Sequence, residues 1–449
     1  MALLISGDVL LSALAVCAAF TLNSGAMPLF GFLFVSEGLS ILLFTFIMVF
    51  SSFFVELYSR DKHINKKEVL IRIFTALVIS FFILSALYYM APAVMLGRGV
   101  LLLSLGMFGA FQLFWHAGYK LCIHVPGLAK RVIILGTGPL ANQIGGVIAS
   151  TGRNYVLSGY INCASEPVFV PVHYVVGNGS GLAETAKKEK AHKIIISLTE
   201  RRGTFPLSDV LRCKFSGIEV VDAPSFYEQM TGKLLIENIT PSWFIFSNGF
   251  KITSFTRLYK RVFDVVLAVG GLAIAAPLFP VIMLLIRLES PAPVFFRQMR
   301  VGQGERGFVL YKFRTMRRDA ESGTGAVWAQ KDDPRITKVG RFLRKSRLDE
   351  IPQLLNVLKG DMTFVGPRPE RPEFVEKLKE VIPYYSERHS IKPGITGWAQ
   401  VKYPYGASVE DAVEKLRYDL FYIKHISLFL DLLIILETVK VVIFGRGSR

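Results

Sequence analysis

The sequence predicts a membrane protein in three parts: an N-terminal four-helix transmembrane bundle, an α/β middle domain, and a basic C-terminal domain with a re-entrant membrane helix hairpin. Three observations predict it. Four apolar stretches, each about the roughly 20 residues needed to cross a bilayer, open the chain. Short apolar runs then alternate with polar helical segments, and a later apolar stretch is broken by two prolines. With 449 residues, 51% of them hydrophobic, and a mean hydropathy of +0.42, the chain is too apolar for an ordinary soluble enzyme. It still holds enough polar sequence for domains outside a bilayer.

The apolar stretches lie near residues 3–20, 31–57, 69–90 and 99–117, a membrane region over 1–118. No basic region precedes the first stretch and no small-residue cleavage site follows it, so it reads as a retained span rather than a signal peptide. The connection after the second span carries Arg60, Lys62, Lys66 and Lys67, and the fourth span is followed by Lys120, Lys130 and Arg131. Those sides read as cytoplasmic. Residues 21–30 and 91–98 hold little positive charge beyond Arg98, as an outer face would. The net charge of +17 suits an anionic leaflet and anionic substrates, and DNA binding would give the same number. Cys17, Cys122, Cys163 and Cys213 are scattered without a CxxC pair, and no HExxH occurs. Disulfides, structural zinc and the commonest hydrolytic metal signature are therefore not expected.

Over 131–225 the runs RVIIL, YVLSGYI, KIIISL and IEVVD alternate with segments such as GLAETAKKEKA, the pattern of βαβ units on a parallel sheet. In RVIILGTGPLANQI, Gly136, Gly138 and Ala141 form GxGxxA between a strand and a helix, which resembles a Rossmann fingerprint for a dinucleotide. The second strand ends in Asn162, where an acidic ribose partner is expected, and Glu166 comes late. Membrane-anchored sugar-nucleotide epimerases and dehydratases also need a Tyr-x-x-x-Lys pair downstream, and the pair present, Tyr58 and Lys62, lies upstream. Weak cofactor binding at Gly136 and Gly138 therefore stands beside a structural, regulatory or ligand-sensing reading of a noncatalytic domain.

Residues 226–256 read as a linker whose TPSWFIFSNGF aromatics serve packing or the membrane interface. The C-terminal domain covers 257–449. Its apolar stretch Val262–Leu288 is interrupted by Pro277 and Pro280. Crossing there would send RTMRR and RKSR to the outer side, against the charge rule. A proline in mid-helix removes a hydrogen bond and kinks the chain, so the segment 262–288 reads as re-entrant, broken at Pro277, with a kinked spanning helix as the alternative. The tail from Ser427, interrupted by Asp431, Glu437 and Lys440, reads as surface-lying or packed.

Chemistry concentrates in RFLRKSRLDEIPQLLNVLKGDM. Asp349 and Glu350 stand between a basic helix and a second helix beginning near Ile351. The helix start and Arg344, Lys345 and Arg347 are expected to keep both carboxylates ionised, and an ionised Asp can attack phosphorus. The plainer alternative has Asp349 capping the following helix, with Pro352 in its first turn and Glu350 balancing the basic helix.

SPAPVFFRQMRVGQGERGFVLYKFRTMR, DDPRITKVGRFLRKSRLDEIPQL, GDMTFVGPRPERPEF and IKPGITGWAQV follow in order. By these motifs the chain resembles the bacterial sugar transferase family, the monotopic polyprenyl-phosphate hexose-1-phosphate transferases, almost continuously from Arg257. The long form of that family also has four N-terminal spans and a noncatalytic Rossmann-like domain. PSWFIFSNGF, GPRPERPEFVEKL and YPYGASVEDAVEKLRYDL look most like its exosortase-associated exopolysaccharide branch. The resemblance implies a phosphoglycosyl transferase moving a hexose-1-phosphate from a UDP-sugar to undecaprenyl phosphate, releasing UMP, at the start of exopolysaccharide synthesis. Asp349 would be the covalent nucleophile, and Glu350 with Asp349 would hold Mg²⁺. Lys312, Arg314 and Arg368 would contact phosphate, since guanidinium offers bidentate geometry. Pro277 matches the family's helix break, with Ala276 where serine is common. The implied partners are donor, acceptor and bilayer, with no nucleic acid, and a homodimer is compatible with the membrane bundle or middle domain. The implied location is the bacterial cytoplasmic membrane, multi-pass, with the catalytic domain on the cytoplasmic face. A membrane-anchored epimerase or dehydratase using the glycine loop, and a noncatalytic assembly scaffold, are the competing classes.

Overall fold

The computed structural model describes residues 2–24, 30–55, 57–58, 66–123, 129–151, 155–163, 167–198, 205–239, 241–290, 293–317, 320, 333–403, 406 and 408–443. The chain forms two compact units, Met1–Lys130 with Arg153–Tyr155, and Arg131–Gly152 with Val156–Arg449.

The first unit holds α1 (Ala2–Ser24), α2 (Phe30–Phe54), α3 (Lys66–Met90) and α4 (Arg98–Ile123). Helix α1 packs on α2 and α4, and α3 on α2 and α4. Leu3–Asn23, Val69–Met90 and Arg98–Tyr119 are long and apolar enough to cross a membrane, while the apolar stretch described in α2, Gly38–Phe54, is shorter. Lipid-type residues such as Leu10, Phe46, Phe74, Phe82 and Phe114 face outward. Inside, Asp8 Oδ2 accepts from Tyr58 Oη and Gln112 Nε2, each at 2.6 Å, and lies 3.3 Å from His116 Nε2. Lys62 of the Tyr58/Lys62 pair lies outside the described residues.

The second unit begins with β1 (Lys130–Leu135), α5 (Pro139–Thr151), β2 (Tyr155–Asn162), β3 (Val175–Asn178), α6 (Leu182–Lys188), β4 (Lys193–Ile196), α7 (Leu207–Phe215), β5 (Glu219–Asp222) and α8 (Ala223–Thr231). The strands form one sheet in the order β3-β2-β1-β4-β5, with β1/β4, β2/β3 and β4/β5 parallel. This is the order of the first five strands of a doubly wound sheet. The edge strand β3 went unread in the sequence because its apolar run is only Val175 and Val176 before Gly177 and Asn178. Gly136, at φ 124°, turns out of β1 towards α5. Asn162 accepts from Thr137 Oγ1 at 3.2 Å and so braces the glycine loop. Glu166 lies outside the described residues.

The stretch read as a linker is instead structured: it contains most of α8, then α9 (Pro241–Phe246). Trp243, Phe244 and Phe250 pack on the core beyond it. That core is built by α10 (Ser254–Ala275), α11 (Leu278–Glu289), β6 (Phe295–Val301), β7 (Gly307–Phe313), α12 (Lys338–Lys345), α13 (Gln353–Lys359), β8 (Thr363–Val365), α14 (Pro372–Val381), β9 (Gly394–Thr396), α15 (Trp398–Lys402), α16 (Val409–Lys424) and α17 (Leu428–Ile443). Strands β6 and β7 form an antiparallel pair, and β8 and β9 a parallel pair. Helix α17 is packed rather than peripheral: Ile434 is buried, and Asp431 accepts from Tyr422 Oη at 2.6 Å and Lys260 Nζ at 2.9 Å.

Helices α10 and α11 meet at Pro277 with a 63° bend. Val262, Val266, Val269, Ile274, Leu284 and Leu288 stay exposed along them. Both ends are tied to the same core. At the start, Arg261 donates to the carbonyls of Val357 and Leu358 at 2.7 Å, and Lys260 to that of Val365 at 3.2 Å. Midway, buried Asp264 accepts from Thr363 Oγ1 and Phe364 N. At the far end, Glu289 accepts from Lys338 N and Val339 N at 2.6 and 2.9 Å.

Candidate active site

Asp349 and Glu350 occupy a single 3₁₀ turn, Leu348–Glu350, between α12 and α13. The local sequence explains the placement. Thr337 caps α12 by accepting from Gly340 N, and Gly340 has no room for a side chain, since a Cβ there would lie 2.1 Å from the Thr315 carbonyl. Arg347 then takes the left-handed conformation, φ 57° and ψ 13°, and turns the chain sharply into the carboxylate pair. A non-glycine residue there carries strain of the kind that concentrates at functional sites. The next helix starts at Gln353, two residues later than expected, with Pro352 at its N-cap rather than in its first turn.

Asn356 holds α13 to the strand that carries Lys312. Its amide donates to Val309 O at 2.7 Å and accepts from Tyr311 N at 3.1 Å, which satisfies the open edge of β7. The sequence reading missed this fully buried residue, because an Asn inside a short amphipathic run carries no signal of its partner. The Arg368 loop is set by a close approach of backbones. Gly366 N donates to Thr396 O and Gly394 N to Pro367 O, both at 2.9 Å. A Cβ on Gly394 would lie 2.1 Å from Gly366 N, and one on Gly397 2.2 Å from Gly366 O. GPRPE and PGITG are thus two halves of one contact.

These elements bring four charged side chains around Glu350 and Asp349. Glu350 Oε1 accepts from Lys312 Nζ at 3.0 Å and Arg368 Nη2 at 2.9 Å, and Arg347 Nη1 lies 3.7 Å away. Burial alone would raise the Glu350 carboxyl, but Lys312, Arg368 and Arg347 outweigh it and hold the group well below the carboxylate range. Asp349 differs. Burial, reinforced by the Glu350 charge, pushes its carboxyl up against the pull of Lys312, Arg344 and Arg347. Flanking cations favour the charged form of Glu350 as expected, while at Asp349 burial works against them, an opposing effect that was invisible in sequence. Asp349 does not cap α13, and its buried Oδ1 has no hydrogen-bond partner among the described residues. Lys312 is pulled down by burial.

The other expected residues sit apart from this cluster. Arg314 Nη2 donates to Ser290 O at 2.7 Å, so Arg314 clasps the end of the bent helix pair while its buried Nη1 has no partner among the described residues. Pro277 lies at the bend, and Gly136 and Gly138 lie in the five-stranded sheet domain. Trp398 packs, donating from Nε1 to Gly232 O at 2.8 Å.

The carboxylate pair can serve a divalent cation only in part. Among the described residues no three His, Cys, Asp or Glu side chains gather in one place. Two adjacent carboxylates with one free buried oxygen suit Mg²⁺, which commonly takes one or two protein carboxylates and completes its shell from phosphates and water. Four cations facing two acids leave a net positive field suited to a diphosphate.

Residues 255–445 match the family model described as bacterial sugar transferase. A UDP-N-acetylgalactosamine-undecaprenyl-phosphate N-acetylgalactosaminephosphotransferase from Aeromonas hydrophila is 42% identical over 238 residues, 53% of this chain and 55% of the relative. An undecaprenyl-phosphate glucose phosphotransferase from Komagataeibacter xylinus is 33% identical over 332 residues, 72% of this chain and 60% of the relative. An exopolysaccharide production protein, PSS, from Rhizobium leguminosarum is 40% identical over 185 residues, covering 40% of this chain and 92% of the relative. The chain thus spans about half the length of the Aeromonas relative.

Proposed function

Because the chain belongs to the bacterial sugar transferase family, we propose that it moves a hexose- or N-acetylhexosamine-1-phosphate from a UDP-sugar to undecaprenyl phosphate at the cytoplasmic membrane, initiating exopolysaccharide synthesis. The observation that carries this reading is Asp349: a buried carboxyl with one unengaged oxygen, beside a carboxylate already neutralised by Lys312 and Arg368. Asp349 Oδ1 attacks the sugar-bearing phosphorus, and the bond from that phosphorus to the UMP oxygen breaks. A phosphate oxygen of undecaprenyl phosphate then attacks the same phosphorus and expels the Asp349 carboxylate. Two displacements keep two polyanions from meeting at once.

Lys312, Arg347 and Arg368 cradle the diphosphate and stabilise charge as it develops. Burial raises the Asp349 carboxyl while Lys312, Arg344 and Arg347 pull it towards the charged, nucleophilic form. A Mg²⁺ held by Glu350 and Asp349 would neutralise phosphate oxygens. The bent pair α10–α11, with both ends bound to one core and an exposed apolar outer side, supports a hairpin that dips into one leaflet and brings a soluble donor to a lipid acceptor. Three or four N-terminal spans would fix the enzyme at that surface.

The test is UMP release from a panel of UDP-sugars with Mg²⁺ and undecaprenyl phosphate. Asp349→Asn is expected to lower turnover by at least ~10³-fold, as losing a nucleophile does; wild-type turnover in that variant would sink the mechanism. The panel also names the donor sugar.

A further inference from the structure

Resting on the reading above, we propose that the buried Arg388–Asp419 pair is a positioning device that sets Arg368 on the carboxylate site. Arg368 belongs to a loop most of whose carbonyls are taken. Val365 O accepts from Lys260 Nζ and Tyr422 Oη, Pro367 O from Gly394 N, Pro369 O from Arg300 Nη1, and Glu370 O from Val301 N. The carbonyl of Arg368 itself accepts from Arg388 Nη2 at 3.0 Å. An arginine is thus held at its backbone by one arginine while its own guanidinium reaches Glu350 at 2.9 Å.

Arg388 is built for that task. It is 5% exposed. Nε and Nη2 donate to Asp419 Oδ2 at 3.2 and 2.8 Å, and Nη1 donates to Tyr385 Oη at 2.8 Å. Nη2 therefore serves Asp419 and Arg368 together, and the three nitrogens reach their partners in the fixed directions of a planar guanidinium. Asp419, 2% exposed, is carried by α16, whose start is fastened by a capping box between Ser408 and Asp411. The chain of support runs from a rigid helix through one ion pair to the backbone of a phosphate-binding arginine. A site group held this way loses much of its rate when displaced by about an ångström.

A lysine at 388 keeps the charge facing Asp419 but has one nitrogen in place of the three that reach Asp419, Tyr385 and the Arg368 carbonyl. Arg388→Lys is expected to lower kcat/KM for UMP release about 10- to 100-fold. In an Arg368→Lys background the same change is expected to cost less than about twofold, since residues acting as one unit are not additive. A purely structural Arg388 would cost the same in both backgrounds, which overturns the proposal, as does unchanged turnover of the single variant. Should Arg388→Lys fold poorly, Arg388→Met with Asp419→Leu removes both charges together. That pair is expected to fold and to match the loss, and full turnover in it overturns the proposal. If the wild-type chain releases no UMP with any donor, the transferase reading fails and the positioning claim is decided by amide exchange at Gly366 and Gly394. Faster exchange in Arg388→Lys supports it, and unchanged exchange overturns it.

Discussion

Asp349 and Glu350 are covalent neighbours in opposite electrical circumstances. Glu350 Oε1 is taken by Lys312 and Arg368, while Asp349 keeps a buried oxygen without a partner among the described residues. The sequence placed both carboxylates and the basic residues beside them, but a string of letters does not reveal which acid the folded cations face. Arg314 illustrates the same limit. It resembles Lys312 in sequence, two residues on, yet its guanidinium closes on Ser290 O. His389 yields a prediction at this scale. Burial, and then the neighbouring Arg388, hold its imidazole down at about 4 against an ordinary 6.5. Between those values the unfolded chain binds the proton and the folded chain does not, so stability falls as pH drops from about 6.5 to about 4. At about 1.4 kcal/mol per pH unit, the loss is on the order of 3 kcal/mol. Melting curves at pH 7 and pH 5 are expected to differ more for the wild type than for His389→Phe. Parallel shifts in the two proteins would refute it.

At the scale of elements, the bent pair α10–α11 shows how a sequence pattern becomes a position. The prolines predict a break, and the bend sits at Pro277. What holds the two ends to one core is a set of polar side chains inside or beside apolar sequence: Lys260, Arg261, Asp264 and Glu289. Buried Asp264 has two donors and no freedom to reach water, so it fixes the depth of α10 against β8. A membrane hairpin predicts that Ser254→Cys and Ser290→Cys label with an impermeant thiol reagent from the same side of sealed vesicles. Labelling from opposite sides would require a spanning segment. In the N-terminal unit, Asp8 with Tyr58, Gln112 and His116 is the analogous polar stitch between helices.

At the scale of the molecule, the second unit holds two candidate sites. The five-stranded sheet and the carboxylate site belong to one compact unit, bridged where Glu228 of α8 meets Lys424 and His425, and where Lys233 pairs with Glu414. The glycine loop lies on the sheet, with Asn162 spent on bracing Thr137 in place of an acidic ribose partner. On the proposed mechanism, transfer runs at the 349–350 turn. Gly138→Ala is expected to leave UMP release within about twofold of wild type while any dinucleotide bound to the sheet is lost. A large drop in turnover would join the two sites and favour the redox-type alternative.

Periodicity and composition by themselves determined the broad plan: apolar helices first, a parallel sheet next, a broken apolar segment, and a basic domain around Asp349 and Glu350. These features are legible because each is carried by residues adjacent in the chain, where spacing alone sets helix face, strand alternation and break. Only the tertiary structure decided that Gly366 and Gly394 meet, that Asn356 closes the edge of β7, that Arg388 reaches Arg368, and that burial prevails at Asp349 while the cations prevail at Glu350. Each of those depends on groups 20 to 50 positions apart or on the removal of water, and desolvation is a property of the packed interior that no local run of residues encodes.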